Sequence, residues 1–163
     1  FNEILRSNPK YANAYNNLGN IYVKKGDYQK AVEFFKKAIE INPQDSKSYD
    51  NLGLAYLEIG DLNRATDAFK LAIRLNPDNA EAHNNLGNLY AQKELYDEAV
   101  IQYRQALKLK PDFDKPHFNL GVIYFKQNLI VQAKKEWQLV LEINPKHPGA
   151  LKNLRALETA PSP

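Results

Sequence analysis

Apolar residues recur along this chain at i, i+3 and i+7, in short stretches separated by polar turns. That spacing puts them on one face of a helix and predicts amphipathic helices rather than strands. The helices are expected near 12–25 and 28–41, 46–59 and 62–75, 80–93 and 96–109, 114–127 and 130–143, with a last one over 148–158. A longer rhythm lies over the short one. Pro9, Pro43, Pro77, Pro111 and Pro145 stand 34 residues apart, the kind of spacing that signals stacked structural repeats. In the same register come Leu18-Gly19, Leu52-Gly53, Leu86-Gly87 and Leu120-Gly121, then Tyr22, Tyr56, Tyr90 and Tyr124. Ala31, Ala65, Ala99 and Ala133 follow, with Phe35, Phe69, Tyr103 and Trp137 one helical turn beyond. Ala38, Ala72, Ala106 and Val140 complete the set. The chain is therefore expected to be all-α, one antiparallel helix hairpin per period.

Residue size assigns roles within the hairpin. Glycine and alanine mark where its two helices approach closely, and leucine, tyrosine and the later aromatic fill the wider gaps. Proline ends the second helix because it cannot continue the hydrogen-bond ladder. Gly26-Asp27 and Gly60-Asp61 suit the inner turn, glycine by tolerating positive φ and aspartate by capping the next helix. The third and fourth units carry Glu94-Leu95 and Asn128-Leu129 there, and a less regular, more mobile turn is expected in the third.

The order large residue, leucine-glycine, tyrosine, alanine, aromatic, alanine, proline resembles the tetratricopeptide-repeat family over essentially the whole chain. The resemblance implies an α-α superhelix, a right-handed solenoid whose first helices line a concave groove. It also implies a non-catalytic scaffold for protein partners. Repeats fall at 12–45, 46–79, 80–113 and 114–147. Phe1, Leu5, Asn8 and Pro9 keep the register of Phe35, Ile39, Asn42 and Pro43, so 1–11 is expected to be a second-helix remnant of a preceding repeat in a longer parent. Residues 148–158 are read as a capping helix, because Arg155 stands where glycine would admit a partner helix, and 159–163 as a tail.

Composition narrows the function. At 44% hydrophobic and 25% charged, the chain has the material for a packed core. No apolar run nears the ~20 residues of a membrane span, which predicts no membrane insertion. Cysteine is absent, which removes thiol chemistry and cysteine-ligated metal and suits a reducing cytosol without requiring one. A net charge of +3, with basic and acidic residues alternating along most helices, is not the clustered basic stripe that nucleic acid demands.

Removing the packing positions leaves the residues expected to face the groove. Asn17, Asn51, Asn85 and Asn119 each precede the repeat leucine, and Asn153 continues the row into the cap. Asparagine is a poor helix former, so its recurrence in mid-helix asks for a reason. Its amide both donates and accepts, and can grip a peptide backbone without reading side chains; alternatively it bonds to the neighbouring helix. The row is also similar to the asparagine ladder in the repeats of O-linked N-acetylglucosamine transferase, over the repeats only. Beside it run Asn16, Asp50, Asn84 and Phe118, then Asn20, Leu54, Asn88 and Val122, a varied layer suited to selectivity. Phe118, Val122 and Phe125 form an apolar stripe, read either as a ligand pocket or as packing under the cap. A dicarboxylate clamp, known in the family, finds only Asn85 and Lys115 in place; Asp50, Leu54 and Asn119 occupy its other positions. His83 and His117 hold the large-residue position of adjacent repeats and are read as packing, with neither metal nor cofactor. No phosphate loop or nucleophile motif occurs. The sequence thus reads as a non-enzymatic scaffold binding a protein or peptide segment. Self-association, or a targeting role within a larger protein, is the alternative.

Overall fold

The computed structural model describes residues 9–159, with side chains from Tyr11 onward. Nine α-helices and no strand occur among the described residues. They pair as α1 (Pro9–Lys24) with α2 (Tyr28–Ile41), α3 (Ser46–Ile59) with α4 (Leu62–Leu75), α5 (Ala80–Gln92) with α6 (Tyr96–Leu109), and α7 (Asp114–Lys126) with α8 (Ile130–Ile143); α9 (Pro148–Thr159) follows alone. The helix boundaries agree closely with those expected. α1 begins earlier, at Pro9, a residue well suited to a first helical turn because its missing N–H has no intrahelical partner to lose. The register residues Phe1–Asn8 lie outside the described part.

The recurring glycine explains the tightness of each hairpin. A Cβ at Gly53 would stand 2.6 Å from the Phe69 ring, and one at Gly87 2.7 Å from the Tyr103 ring. The aromatic of the second helix therefore lies directly on the glycine of the first. Phe35, Phe69, Tyr103 and Trp137 are all buried as a result. Leu52 and Leu86 share one cluster with Phe35 and Phe69, so the apolar core continues from the first hairpin through the second into the first helix of the third.

All four inner turns close alike. The N–H of Asp27, Asp61, Leu95 and Leu129 donates to the carbonyl of Tyr22, Tyr56, Tyr90 and Tyr124 at 2.8–3.0 Å. A second bond runs from the residue before: Gly26 to Val23, Gly60 to Leu57, Glu94 to Ala91 and Asn128 to Phe125. This paired pattern is the Schellman motif, which needs a left-handed residue. Glu94 and Asn128 adopt it at φ 59° and 61°, beside 74° and 85° for Gly26 and Gly60. The irregular third turn expected from the sequence is not found: the tyrosine carbonyl imposes the geometry, and the strain falls on Glu94. The cap does change, since Asp27 and Asp61 accept from the N–H of Lys30 and Arg64 while Leu95 and Leu129 have no such side chain.

Between hairpins, Asn42, Asn76, Lys110 and Asn144 leave the helical region with φ between −130° and −139°, the extended backbone that a following proline enforces. Each first helix packs on the second helix before it, and α1, α3, α5 and α7 also touch in succession. The second helices make no comparable approach among the described residues, so the stack curves with its first helices inside. On α9, Ala150 is buried, Leu154 and Leu157 lie against the cluster of Trp137 and Val140, and Arg155 is exposed.

Candidate functional site

On the first-helix side, the asparagine row is tied from repeat to repeat. Asn51 Nδ2 donates to Asn16 Oδ1 at 3.4 Å. One repeat on, Asn85 Nδ2 donates to both Asp50 oxygens at 3.1 and 3.3 Å. Asn119 Nδ2 reaches Asn88 Oδ1 at 2.8 Å, which also accepts from the Tyr103 hydroxyl at 2.8 Å. Burial pushes the Tyr103 phenol well above its ordinary range, so it stays a neutral donor. Asn51, Asn85 and Asn119 are half-buried and Asn17 is exposed. Each of the three bonded amides commits one N–H to the preceding repeat, and its carbonyl oxygen makes no hydrogen bond among the described residues.

The second row is less exposed than its pattern suggests. Asn16, Asp50 and Asn84 are 6%, 9% and 4% exposed, because the curvature presses these positions against the next repeat. Asn16 Nδ2 reaches Asp45 at 3.0 Å and also the Ser48 hydroxyl. Phe113 and Pro116 stand where those two partners would be at the register of Asn84, and Asn119 donates to Asn88 instead of to Asn84, whose Oδ1 is buried without a partner among the described residues. Leu54 and Lys115 are exposed, and Asn20 and Asn88 half-buried.

Asp50 is the electrostatically unusual member. Burial raises its carboxyl above the ordinary carboxylate range; the bond from Asn85 opposes this, and the charge of Glu81 adds to the rise. It borders a cavity of about 760 Å³ with Asp45, Lys47, Asn51, Glu81 and Lys110. A second, apolar cleft of about 490 Å³ opens between α7 and α9, lined by Val122, Phe125, Trp137, Asn153 and Leu157 with Lys126. The apolar stripe of the sequence is split here. Phe118 packs against Gly149 and the His147 ring, 4.8 Å centroid to centroid, whereas Phe125 is 48% exposed at the cleft.

Two histidines tie the first helix of a hairpin to its own second helix. His83 Nδ1 lies 2.8 Å from Gln102 Oε1, and His117 Nδ1 lies 2.7 Å from Glu136 Oε2, one period later. His147 Nδ1 accepts from the N–H of Ala150 at 3.1 Å and caps α9. No group of three metal-ligating side chains occurs among the described residues.

Two features of this face were beyond sequence reasoning. The large cavity draws Asp45, Asp78 and Asn79 from the turns between hairpins, and the cleft draws Asn153 and Leu157 from the last helix. The turn residues lie off the helical rows on which the groove residues were sought, whereas Asn153 continues the asparagine row and only its place at a cleft was hidden.

Family models described as tetratricopeptide repeat match residues 12–45 and 34–67, and one described as TPR repeat matches 53–94 and 87–128. The chain belongs to the tetratricopeptide-repeat family. A crystal structure of MamA, 28% identical, superposes with a TM-score of 0.77 over 89% of this chain and 85% of that one. The structure of YrrB, described as a TPR protein with an unusual peptide-binding site, is 26% identical with a TM-score of 0.76 over 88% of this chain and 74% of that one. Pseudomonas aeruginosa PilF, at 24% identity and a TM-score of 0.85 over 91% and 68%, shares the fold. Comparison with curated proteins gives no match. A tetratricopeptide-repeat stack is in general a scaffold for protein–protein interaction, and no described helix of this one is long and apolar enough to cross a membrane.

Proposed function

We propose that this tetratricopeptide-repeat stack holds an extended segment of a partner protein against its first helices, without catalysis. The observation that carries the reading is the orientation of Asn51, Asn85 and Asn119. One N–H of each is fixed by the preceding repeat, which presets the direction of its carbonyl oxygen and second N–H. Such pre-orientation lowers the ordering cost of gripping a backbone amide. The two roles weighed for these asparagines are thus compatible in one side chain.

First helices stand about 8–10 Å apart and an extended chain advances ~3.3 Å per residue, so one ladder amide meets roughly every third ligand residue. Each neutral hydrogen bond contributes ~0.5–1.5 kcal/mol, and several together give about micromolar binding. The cleft at Phe125 supplies a place for an apolar ligand side chain. YrrB, described as a TPR protein with an unusual peptide-binding site, supports the same use of the fold.

Backbone methylation provides the test. Peptides selected from a random displayed library are synthesised with single N-methyl groups and titrated onto the wild type and Asn119→Ala. Loss at every third position or so, together with weaker binding to the variant, is expected. Binding that ignores both N-methylation and Asn119→Ala refutes the ladder grip.

A further inference from the structure

We propose that the cavity between the second and third hairpins receives a cationic side chain, an arginine or lysine of the held segment; this rests on the peptide-holding reading above.

Four carboxylates, Asp45, Asp50, Asp78 and Glu81, border the cavity. None of them forms an ion pair among the described residues, where the pairs are Asp27–Lys30, Asp61–Arg64 and His117–Glu136. The two lysines at the cavity do not answer them. Lys47 is exposed, and Lys110 lies over the Phe113 ring at 5.0 Å. Ser46, half-buried, also lines the cavity, and its hydroxyl oxygen is shielded from solvent with no hydrogen-bond partner among the described residues. A polar atom left thus has lost water and gained nothing in return.

The decisive comparison is internal. The register of Asp50 is held by Asn16 in the first repeat and Asn84 in the third. Asn16 accepts from Asn51 the same bond that Asp50 accepts from Asn85, 35 residues apart in both cases. An amide therefore suffices to tie one repeat to the next, and the packing has no use for the charge. A carboxylate at 9% exposure without a counter-ion destabilises the fold. Burial and Glu81 both raise its proton affinity, and the charge of a bound cation opposes that rise. A metal ion is the poorer occupant, since no three ligating groups converge. A cavity of about 760 Å³ instead has room for a guanidinium or ammonium group with its aliphatic stem. Ladder residue Asn51 lines the same cavity, so a backbone held by the ladder passes its mouth.

A random dodecapeptide library displayed on phage is panned in parallel on the wild type and on Asp50→Asn. Thermal melts first establish that the variant is folded. Enriched peptides are labelled and measured by fluorescence anisotropy. Peptides selected on the wild type are expected to share an arginine or lysine at one place and to bind Asp50→Asn about tenfold to a hundredfold more weakly. Changing that residue to norleucine should weaken wild-type binding to the same extent and cause no further loss on Asp50→Asn. Selected peptides without a basic preference, or binding both proteins equally, overturn the cation site while leaving peptide holding intact. A library that yields no binder to the wild type overturns both.

Discussion

The three bonded ladder asparagines look equivalent in the sequence, yet the fold gives them unequal partners, and Asn85→Ala exposes the difference. Asn85 Nδ2 is the only hydrogen-bond donor to the Asp50 side chain among the described residues. Removing it leaves a carboxylate at 9% exposure with no partner. A hydrogen bond to a charged group contributes about 1.5–3 kcal/mol, and replacing asparagine by alanine in a helix returns roughly 0.5 kcal/mol. The net loss is about 1–2.5 kcal/mol, or roughly 2–10 °C in the midpoint for a domain of this size. Asn119→Ala is different, because Asn88 keeps its bond from the Tyr103 hydroxyl. Asn51→Ala loses the longest and weakest bond, 3.4 Å to Asn16 Oδ1, while Asn16 Nδ2 still donates to Asp45 and Ser48 and holds the side chain in place. Both should stay within about 0.5 kcal/mol of the wild type, the lost bond and the gained propensity nearly cancelling. The assay is thermal and urea unfolding of the three single variants, repeated from neutral to acid pH. The Asp50 carboxyl is already raised in the fold, so its unfavourable contribution is full above its folded value, fades as pH falls from there to the ordinary carboxylate value, and is gone below that. Loss of Asn85 raises it further, so the deficit of Asn85→Ala should be greatest at neutral pH and shrink on acidification. Equal stabilities for all three variants at neutral pH refute the reasoning.

Asp50→Asn should stabilise the fold at pH 7 by removing an unpaired buried charge, and its advantage in thermal melts should vanish as acid protonates the wild-type carboxyl. Glu94→Gly should raise stability by about 0.5–1 kcal/mol, because Glu94 holds φ 59° and glycine relieves that strain at some entropic cost; chemical denaturation measures it. Gly87→Leu drives a side chain into the Tyr103 ring, already 2.7 Å from the position of a Cβ, and should cost about 3 kcal/mol or more, with amide-exchange protection lost first in α5 and α6.

The sequence by itself determined the repeat, and with it the helices, their pairing and their order. Each packing contact falls within one period or its neighbour: Gly53 meets Phe69 inside its own hairpin, and Leu52 shares a cluster with Phe35 of the hairpin before. Local periodicity is legible wherever the partner lies at a fixed distance along the chain. The asparagine row was legible for the same reason. What its amides bond to was not, because those partners vary from repeat to repeat while the row itself does not. Asn16, Asp50 and Asn88 are reached across a curvature that no single helix encodes. The third turn shows the converse, where Glu94 gives no hint of a left-handed residue and the Tyr90 carbonyl demands one. Only the stacked structure could bring Asp45, Asp50 and Glu81 to one cavity and divide Phe118 from Phe125, since both outcomes depend on how far one hairpin turns against the next.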